Sequence, residues 1–323
     1  MSVNSSIFKL KPSISVVVPV YNSCDSLMEL NFRLCKVLKE ICSDYEIIFI
    51  NDASQDDSWS VIEQVIRENK LASGINLMRN YGQHNALLCG IRAACHEMVL
   101  TIDDDLQHPP EHIPLLLDKL LEGYDVVYGV PTEERHDIWR NVASQLTKIV
   151  LQNAMGADVA RNISAFRIFR TQLRDAFQNY KNTYVSIDVL LTWATTNFTA
   201  VRVRHENRAL GVSNYTIPKL IIHALNLVTG FSALPLQLAS LIGFACTIFG
   251  LIILTWVVGR YFFHGSIVPG FPFLASIIAI FSGAQLFSLG IIGEYLARIH
   301  FRSMERPTYT IRSSIQKQGS NEN

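Results

Sequence analysis

The acidic triplet Asp103-Asp104-Asp105 comes directly after the apolar run Met98–Ile102 and before Leu106-Gln107-His108-Pro109-Pro110. A buried strand that ends in three carboxylates delivers them to the carboxyl edge of a sheet, where open α/β folds bind ligands. Carboxylate oxygens suit Mg²⁺ or Mn²⁺, and a cation held by one or two carboxylates completes its shell with water and substrate phosphates. The triplet therefore predicts a cation site for a phosphorylated metabolite. The alternative is a solvated turn or a helix N-cap before Glu111.

Alternating strand and helix patterns surround the triplet. Apolar and β-branched runs predict five strands, at Ile14–Val20, Glu46–Ile50, Gly74–Met78, Met98–Ile102 and Asp125–Tyr128. Between the first two, apolar residues recur at intervals of three and four from Leu27 to Ile41, which indicates one face of a helix. Strand, helix and strand at this spacing predict a mostly parallel sheet with right-handed crossovers.

Polar loops follow the first four predicted strands. They read Pro19-Val20-Tyr21-Asn22, Asn51-Asp52-Ala53-Ser54, Arg79-Asn80-Tyr81-Gly82 and Asp103-Asp104-Asp105. Because a parallel sheet places such loops on one rim, we expect them to converge. Each loop alone would be an ordinary turn, but together they predict a nucleotide pocket with a metal at one end.

The second half of the chain contains two long uncharged segments. No Asp, Glu, Lys or Arg occurs from Ala224 to Gly259, nor between Arg260 and Glu294. The apolar stretches 236–258 and 271–297 each exceed the roughly 20 residues that cross a bilayer, so they predict a membrane hairpin. The alternative is a pair of buried core helices.

Charge placement predicts the orientation of this hairpin. Cations flank its outer ends, whereas the inner turn carries only Arg260 and His264; the outer cations are Arg204, Arg208, Lys219, Arg298, Arg302 and Arg306. By the positive-inside rule both termini are cytoplasmic. Residues 1–12 lack an apolar signal segment, so we expect the soluble part to stay in the cytosol. The six cysteines have no metal-ligand spacing and are interpreted as reduced structural thiols.

The four rim motifs, in this order, resemble family 2 glycosyltransferases. With the hairpin, the chain resembles the branch that loads sugars onto polyprenyl phosphate, from about Ser13 to Pro307. The resemblance implies an α/β, GT-A-like (Rossmann-related) domain with a mostly parallel sheet, followed by an interfacial helix and a two-helix transmembrane hairpin. It also implies inverting, metal-dependent transfer of one sugar from a nucleotide-sugar to undecaprenyl phosphate. A UDP-sugar is the donor expected first.

The implied organisation has five parts. These are an N-terminal tail (1–12), a cytoplasmic GT-A domain (13–212), a juxtamembrane amphipathic helix (213–232), two transmembrane helices within 233–298, and a cytoplasmic C-terminal tail (299–323). Apolar residues at helical spacing between Ile217 and Phe231 suit a helix lying on the inner leaflet, or else a core or interprotomer helix. The expected location is the bacterial inner membrane, with a multi-pass topology.

The resemblance assigns roles at the donor end. Asp103 and Asp105 match the outer positions of the Asp-x-Asp signature around the metal and diphosphate, and Asp105 is also expected to be catalytic. Asp52 is expected to contact the base or ribose, and Pro19 and Tyr21 to shape the base pocket. The full set of expected donor-binding residues is Pro19, Tyr21, Asn22, Asp52, Arg79, Gln83, Asp103 and Asp104.

The segment Arg208–Tyr215 resembles the branch's Arg-x-x-Gly-x-Ser-Lys-Tyr sequence, with Asn214 in place of the usual lysine. An arginine fork and a hydroxyl there suit the acceptor phosphate, which predicts roles for Arg208, Ser213 and Tyr215. Relatives carry a charged segment near Arg135 and Arg140, which are also acceptor-phosphate candidates. The alternatives are a headgroup anchor for Arg208 and a solvated helix start for Arg135 and Arg140.

The general base departs from the family pattern. Many relatives carry an Asp shortly before the segment that reads Ala165-Phe166-Arg167-Ile168 here, and this chain has none. Asp158 is the nearest acid and is the candidate base. A phosphate monoester has a second pKa of about 6, so the acceptor oxygen needs positioning more than deprotonation.

Two other functions stay open. A processive polysaccharide synthase shares the fold, but the chain lacks its Gln-x-x-Arg-Trp segment and two spans are too few for a channel. A catalytically silent, membrane-anchored nucleotide-sugar-binding protein would account for Asn214 and the missing base. Membrane lipids and further copies of the chain are expected partners, and nucleic acid is not. His84, His108, His112 and His136 match no metal-ligand pattern and are interpreted as surface or pocket-lining groups.

Overall fold

The computed structural model describes residues 11–132, 163–181, 185–204, 234–264 and 270–315. The chain divides into two compact units, one of Met1–Ile217 with Arg306–Asn323 and the other of Pro218–Glu305. The expected juxtamembrane helix, the acceptor residues Arg135, Arg140, Arg208, Ser213 and Tyr215, and the candidate base Asp158 lie outside the described residues.

Among the described residues of the first unit, eight strands form one sheet. The strands are β1 (Ser13–Val20), β2 (Asp44–Asn51), β3 (Ala72–Leu77), β4 (Met98–Thr101), β5 (Val126–Pro131), β6 (Arg167–Arg170), β7 (Phe198–Val203) and β8 (Ile311–Ile315). The helices are α1 (Leu27–Ile41), α2 (Ser58–Glu68), α3 (Gln83–Ala93), α4 (Ile113–Leu121) and α5 (Ile187–Ala194), with short 3₁₀ helices at Pro110–His112 and Thr171–Ala176.

The sheet is mixed and mostly parallel, as predicted. Its strand order is β7-β5-β6-β4-β1-β2-β3-β8. Strands β4, β1, β2 and β3 run parallel to one another, and β5 runs parallel to β7. Two strands that the sequence did not predict are antiparallel to their neighbours: β6 lies between β4 and β5, and β8 pairs with the outer edge of β3.

Burial on both faces explains the apolar character of the central strands. Every residue of β1 from Ile14 to Val20 is buried, because helices cover both faces of a parallel sheet. The predicted apolar face of α1 packs on this core, and its buried residues are Leu27, Leu30, Leu34, Val37 and Leu38. Gly90 of α3 permits a close approach to β1, since an added Cβ would lie 2.3 Å from Cγ1 of Val17.

Pro19 occupies a position in β1 that tolerates a missing N–H group. Val17 accepts a backbone hydrogen bond from Ile102 and Val20 accepts one from Asp52, so odd-numbered residues of β1 face β4 and even-numbered residues face β2. The pairing between β1 and β4 ends at Val17 and Thr101. Pro19 therefore faces β4 beyond the last paired residue, where no ladder hydrogen bond is lost.

The second unit contains two long helices, α6 (Leu234–His264, 31 residues) and α7 (Phe271–Ser303, 33 residues). At about 1.5 Å per residue each exceeds the roughly 30 Å hydrocarbon core of a bilayer. Within them, Leu236–Ile253 and Ile280–Ala297 are apolar enough to span a bilayer, and only 6% and 0% of their residues are buried. Core helices of a soluble domain would be mostly buried, so this low burial favours the hairpin. Within the unit the helices approach closely at Gly250, where an added Cβ would lie 2.7 Å from the Phe281 ring.

Candidate functional site

The carboxyl ends of β4, β1, β2 and β3 bring the four predicted polar loops together. Backbone Tyr21 donates a hydrogen bond to Oδ2 of Asp104 at 3.1 Å, which joins the loops after β1 and β4. Backbone Asn22 donates to Oγ of Ser54 at 3.0 Å, which joins the loops after β1 and β2. The convergence expected for a parallel sheet is therefore present in the structure.

Asp52 joins the loop after β2 to the loop after β3. Its two carboxylate oxygens accept hydrogen bonds from the backbone amides of Tyr81 and Gly82, both at 2.7 Å. Burial raises the pKa of Asp52, and the two amides oppose that rise by stabilising the ionised form. Gly82 needs a glycine because its φ is +93°, a conformation in which a Cβ is strained. Asp52 thus holds the Arg79–Gly82 loop in place.

The first residue of α3 closes the set of loops. The Gln83 side-chain amide donates to Oδ1 of Asp103 at 2.6 Å and so connects the loop after β3 to the loop after β4. In the sheet, β1 and β2 lie between β4 and β3. The four loops therefore form a continuous hydrogen-bonded rim.

The three carboxylates of the acidic triplet have different partners. Asp103 accepts from Gln83, Asp104 accepts from Tyr21, and Asp105 accepts from backbone Gln107 at 3.1 Å. The backbone carbonyl of Asp104 also accepts from the Ser26 hydroxyl at 2.5 Å. Asp104 is thus bonded, through both its side chain and its backbone, to the segment Tyr21–Ser26 that follows β1.

The triplet stores unfavourable electrostatic energy. Burial, followed by repulsion from Asp105 and Asp104, raises the pKa of Asp103 to about 7. Burial also raises the pKa of Asp104 to about 6, against the hydrogen bonds from Ser23 and Tyr21. A cluster of partly buried carboxylates is relieved either by protons or by a cation. Its all-oxygen donor set fits a hard divalent cation such as Mg²⁺ or Mn²⁺.

A buried arginine, Arg167, lies near the triplet. Arg167 on β6 is 1% exposed, and its Nε donates to Oγ1 of Thr101, two residues before Asp103, at 3.2 Å. Its guanidinium forms an ion pair with Asp188 of α5, which also accepts from the Tyr128 hydroxyl at 3.0 Å. The Arg167 charge lowers the pKa of Asp103 and partly offsets the effect of burial. The sequence prediction did not assign Arg167 a role, although a charge within an apolar strand is a signal for a buried partner.

The remaining predicted donor residues occupy different depths. Tyr21 is 38% exposed on the rim, and the Arg79 guanidinium stacks 4.7 Å from the centre of the Tyr81 ring. Asn22 has a φ of 54° and its side chain accepts from backbone Gln55 at 2.8 Å. Pro19 is buried within β1. Tyr21, Asn22 and Arg79 are thus exposed on the rim, as is Gln83, whereas Pro19 is not.

Histidines also lie near the rim. His108 is buried, stacks on Phe166 with ring centres 5.4 Å apart, and has Nε2 3.5 Å from the Ser164 hydroxyl. Nδ1 of His84 accepts from backbone Ile187 at 3.3 Å. His108 is therefore not a surface group, and its interpretation as a pocket-lining group stays a prediction.

A second group of potential metal ligands lies away from this rim. Ligand atoms of Glu46, Cys95 and His96 are within 4.8 Å of one another. Oε1 of Glu46 already accepts from the Ser15 hydroxyl and from both the backbone and the thiol of Cys95. Burial raises the pKa of Cys95 to about 11, so its thiol stays protonated at neutral pH. Internal hydrogen bonds account for this group.

Comparison with known proteins identifies a family match for this chain. Residues 15–180 match the model of the family described as glycosyl transferase family 2. An undecaprenyl-phosphate 4-deoxy-4-formamido-L-arabinose transferase of Proteus mirabilis (strain HI4320) is 33% identical over 322 residues, covering 98% of each chain. The enzyme of the same name from Serratia proteamaculans (strain 568) is 32% identical over 313 residues, covering 94% of each chain.

The fold also resembles a solved structure. The crystal structure of mannosyl-3-phosphoglycerate synthase from Rubrobacter xylanophilus matches with a TM-score of 0.51 and 18% sequence identity. The match covers 68% of this chain and 73% of that one. At this level of identity the likeness supports the GT-A-like fold and nothing about the substrate.

Proposed function

This chain belongs to glycosyl transferase family 2, and from that premise we propose that it transfers one sugar from a nucleotide-sugar to undecaprenyl phosphate. Its activity as a glycosyltransferase follows from the family. The acceptor is proposed because relatives spanning nearly the whole chain are named for undecaprenyl phosphate. The observation that carries the proposal is the rim, on which Gln83 and Tyr21 bond the acidic triplet and Asp52 bonds the Arg79–Gly82 loop.

The donor is proposed to bind across this rim. Asp103 and Asp105 would hold Mg²⁺ or Mn²⁺, which when bound would neutralise the diphosphate of the departing nucleotide. Asp104, through its bond to backbone Tyr21, would keep the triplet in register with the β1 loop. Tyr21 and Arg79 would contact the nucleoside. Asp52 would hold the Arg79–Gly82 loop in place and would also contact the base or ribose.

The acceptor is proposed to bring its own nucleophile. A lipid phosphate is mostly dianionic at neutral pH, since its second pKa is about 6. Its oxygen then needs alignment with the sugar C1 more than a strong base. Arg135, Arg140, Arg208, Ser213 and Tyr215 are proposed to align it, and Asp158 stays the candidate base. A single displacement would invert the configuration at C1.

The second unit is proposed to anchor the enzyme. Helices α6 and α7 would cross the bacterial inner membrane as a hairpin, with the juxtamembrane region 213–232 at the inner leaflet and both termini cytoplasmic. This arrangement would bring a cytosolic nucleotide-sugar and a lipid phosphate at headgroup depth to one enzyme. Assembly into a homo-oligomer remains part of the proposal.

A direct transfer assay tests the proposal. Purified protein in detergent is incubated with undecaprenyl phosphate, Mg²⁺ or Mn²⁺ and a panel of UDP-, GDP- and dTDP-sugars, and lipid-linked sugar is measured by mass spectrometry. Because the relatives are named for 4-deoxy-4-formamido-L-arabinose, nucleotide-linked forms of that sugar belong in the panel. We expect one glycosylated lipid whose formation is abolished by EDTA and by Asp105→Asn.

Asp175→Asn is a matched control for the assay. Asp175 is an exposed carboxylate in the second 3₁₀ helix, so its loss is expected to leave turnover unchanged. Metal-dependent nucleotide binding without transfer across the whole panel would instead favour the catalytically silent protein. Products with more than one added sugar would favour a processive synthase.

A further inference from the structure

The segment after the membrane hairpin is part of the catalytic sheet. Strand β8 pairs antiparallel with β3, with Ser313 opposite Asn76 and Ile315 opposite Gly74. The register shifts between Asn76 and Leu77, which lie opposite Ser313 and Ile311, so that Arg312 is an extra residue in β8, as in a β-bulge. The first unit accordingly includes Arg306–Asn323.

This segment fixes the residue that precedes the loop after β3. Backbone Met78 donates to the carbonyl of Thr310 at 2.9 Å, and its own carbonyl accepts from the Arg312 guanidinium at 3.1 Å. Both backbone polar groups of Met78 are therefore bonded to the C-terminal segment. The next residue along the chain is Arg79, the first residue of the Arg79–Gly82 loop.

The same segment contacts the helix that follows this loop. Thr308 is 6% exposed, and its hydroxyl accepts from Arg92 of α3 at 3.3 Å. The Arg92 guanidinium also lies 5.6 Å from the centre of the Tyr309 ring, and the Tyr309 hydroxyl interacts with the thiol of Cys89, also on α3. The segment 308–315 thus binds β3 and α3, the two elements between which the Arg79–Gly82 loop is held.

We propose that the segment 308–315, hereafter the C-terminal strap, is a positioning element for nucleotide binding. The strap holds β3 and α3 in register, so that the amides of Tyr81 and Gly82 meet Asp52 and the Gln83 side chain meets Asp103. Covering the edge of β3 is a second benefit of the same pairing. The inference rests on the proposed function in assigning a nucleoside diphosphate to this rim, and it concerns residues that follow the membrane helices rather than the rim itself.

The test compares two shortened forms of the full-length membrane protein. One ends at Pro307 and lacks the strap, whereas the other ends at Ile315 and keeps it. Binding of UDP with Mn²⁺ is measured by calorimetry in detergent, and amide exchange of Tyr81 and Gly82 is measured without ligand. Loss of the strap is expected to weaken UDP binding by about tenfold and to speed exchange at both amides, because the bound loop conformation becomes a minor state.

Two further measurements keep the test decisive. A peptide of residues 308–315 added in trans is expected to restore UDP affinity to the form ending at Pro307. In the uncut chain, Arg312→Ala is expected to weaken UDP binding by about threefold and Arg312→Lys to restore most of it, since one exposed hydrogen bond is at stake. These point variants decide the question if the form ending at Pro307 does not fold.

The outcomes separate the strap from the proposed reaction. Equal UDP affinity and equal amide exchange in the two shortened forms would overturn the positioning role. The positioning role would also be overturned if loss of the strap raised the KM for undecaprenyl phosphate and left the KM for the donor unchanged. If the unmodified protein makes no lipid-linked sugar, the proposed function fails, but the amide exchange of Tyr81 and Gly82 still tests the strap.

Discussion

The Gln83 side-chain amide and Oδ1 of Asp103 are 2.6 Å apart, and this hydrogen bond connects the start of α3 to the acidic triplet. Asp103 therefore has an amide donor at the rim and the charge of buried Arg167 nearby. Both groups favour the ionised carboxylate that a divalent cation requires. Residues that do not touch the cation are thus expected to control how well the site binds it.

The first prediction removes the amide. Gln83→Leu is expected to weaken Mn²⁺ binding by about tenfold, because a hydrogen bond to a charged group is worth about 1.5–3 kcal/mol and this one is partly exposed. Electron paramagnetic resonance of free Mn²⁺ measures the affinity without requiring turnover. Gln64→Leu is the matched control, since Gln64 bonds only an exposed glutamate on its own helix among the described contacts. Equal losses in the two variants would contradict a specific role for Gln83.

The second prediction concerns pH in the metal-free protein. The pKa of Asp103 is about 7 in the folded state, above its ordinary value of 3.8. The folded state then binds the proton more tightly than the unfolded state, so stability is highest below the ordinary pKa and is lost as pH rises to about 7. As the pH rises from 3.8 to about 7 in EDTA, the melting temperature of wild type is expected to fall relative to that of Asp103→Asn.

The control for this pH series is Asp175→Asn. Its melting temperature is expected to follow that of wild type at every pH, because Asp175 is exposed. Excess Mn²⁺ is expected to reverse the wild-type trend, since the cation binds the ionised form and stabilises the folded state by mass action. A constant difference between wild type and Asp103→Asn at all pH values would show that the folded and unfolded states bind this proton equally, and so that the pKa of Asp103 is not raised by folding.

Local patterns predicted the central strands and the rim. The runs at Ile14–Val20 and Glu46–Ile50 are apolar because both faces of the sheet are covered, and that burial is visible in the sequence. The polar residues that follow these strands converge because parallel strands end on one edge. The fold class and the rim could therefore be predicted from residue types alone.

Strand β8 could not be predicted in this way. Its sequence Ile311-Arg312-Ser313-Ser314-Ile315 is largely exposed, so burial imposes no apolar pattern, and its pairing rests on backbone groups that all residues share. The expected C-terminal tail at 299–323 therefore contains an edge strand. The insertion of β6 between β4 and β5 was also missed, since strand order depends on contacts distant in sequence.

The third prediction tests how Asp52 acts. Asp52→Asn leaves one oxygen to accept from Tyr81 and Gly82 and places an NH₂ group against the other amide. We expect the donor KM to rise by about tenfold or more, with the KM for undecaprenyl phosphate unchanged, because a buried unpaired amide costs about 1–3 kcal/mol. Asp125→Asn is the control, since Asp125 bonds Thr195 and Arg170 instead. A fall in kcat alone would argue against a role in holding the donor loop.

The fourth prediction concerns the Arg167 and Asp188 ion pair, whose side chains are 2% and 9% exposed. Removing one partner leaves the other charge buried and unpaired, so Arg167→Met is expected to lower the free energy of unfolding by about 3–5 kcal/mol. The double variant Arg167→Met with Asp188→Leu is expected to recover part of that loss, because no buried charge remains. Tyr128→Phe removes a single hydrogen bond to Asp188 and is expected to cost about 1 kcal/mol.

The exposed pair of Lys119 and Glu122 provides the comparison for this cycle. The Lys119 Nζ and a Glu122 carboxylate oxygen are 2.6 Å apart, but both side chains are at least 40% exposed, so Lys119→Met is expected to change stability by less than about 1 kcal/mol. Urea unfolding in detergent, followed by tryptophan fluorescence, measures all four variants. If the double variant regains stability but still binds Mn²⁺ weakly, Arg167 supports the triplet through its charge; if Mn²⁺ binding recovers together with stability, Arg167 acts through the packing of β6 against β4 alone.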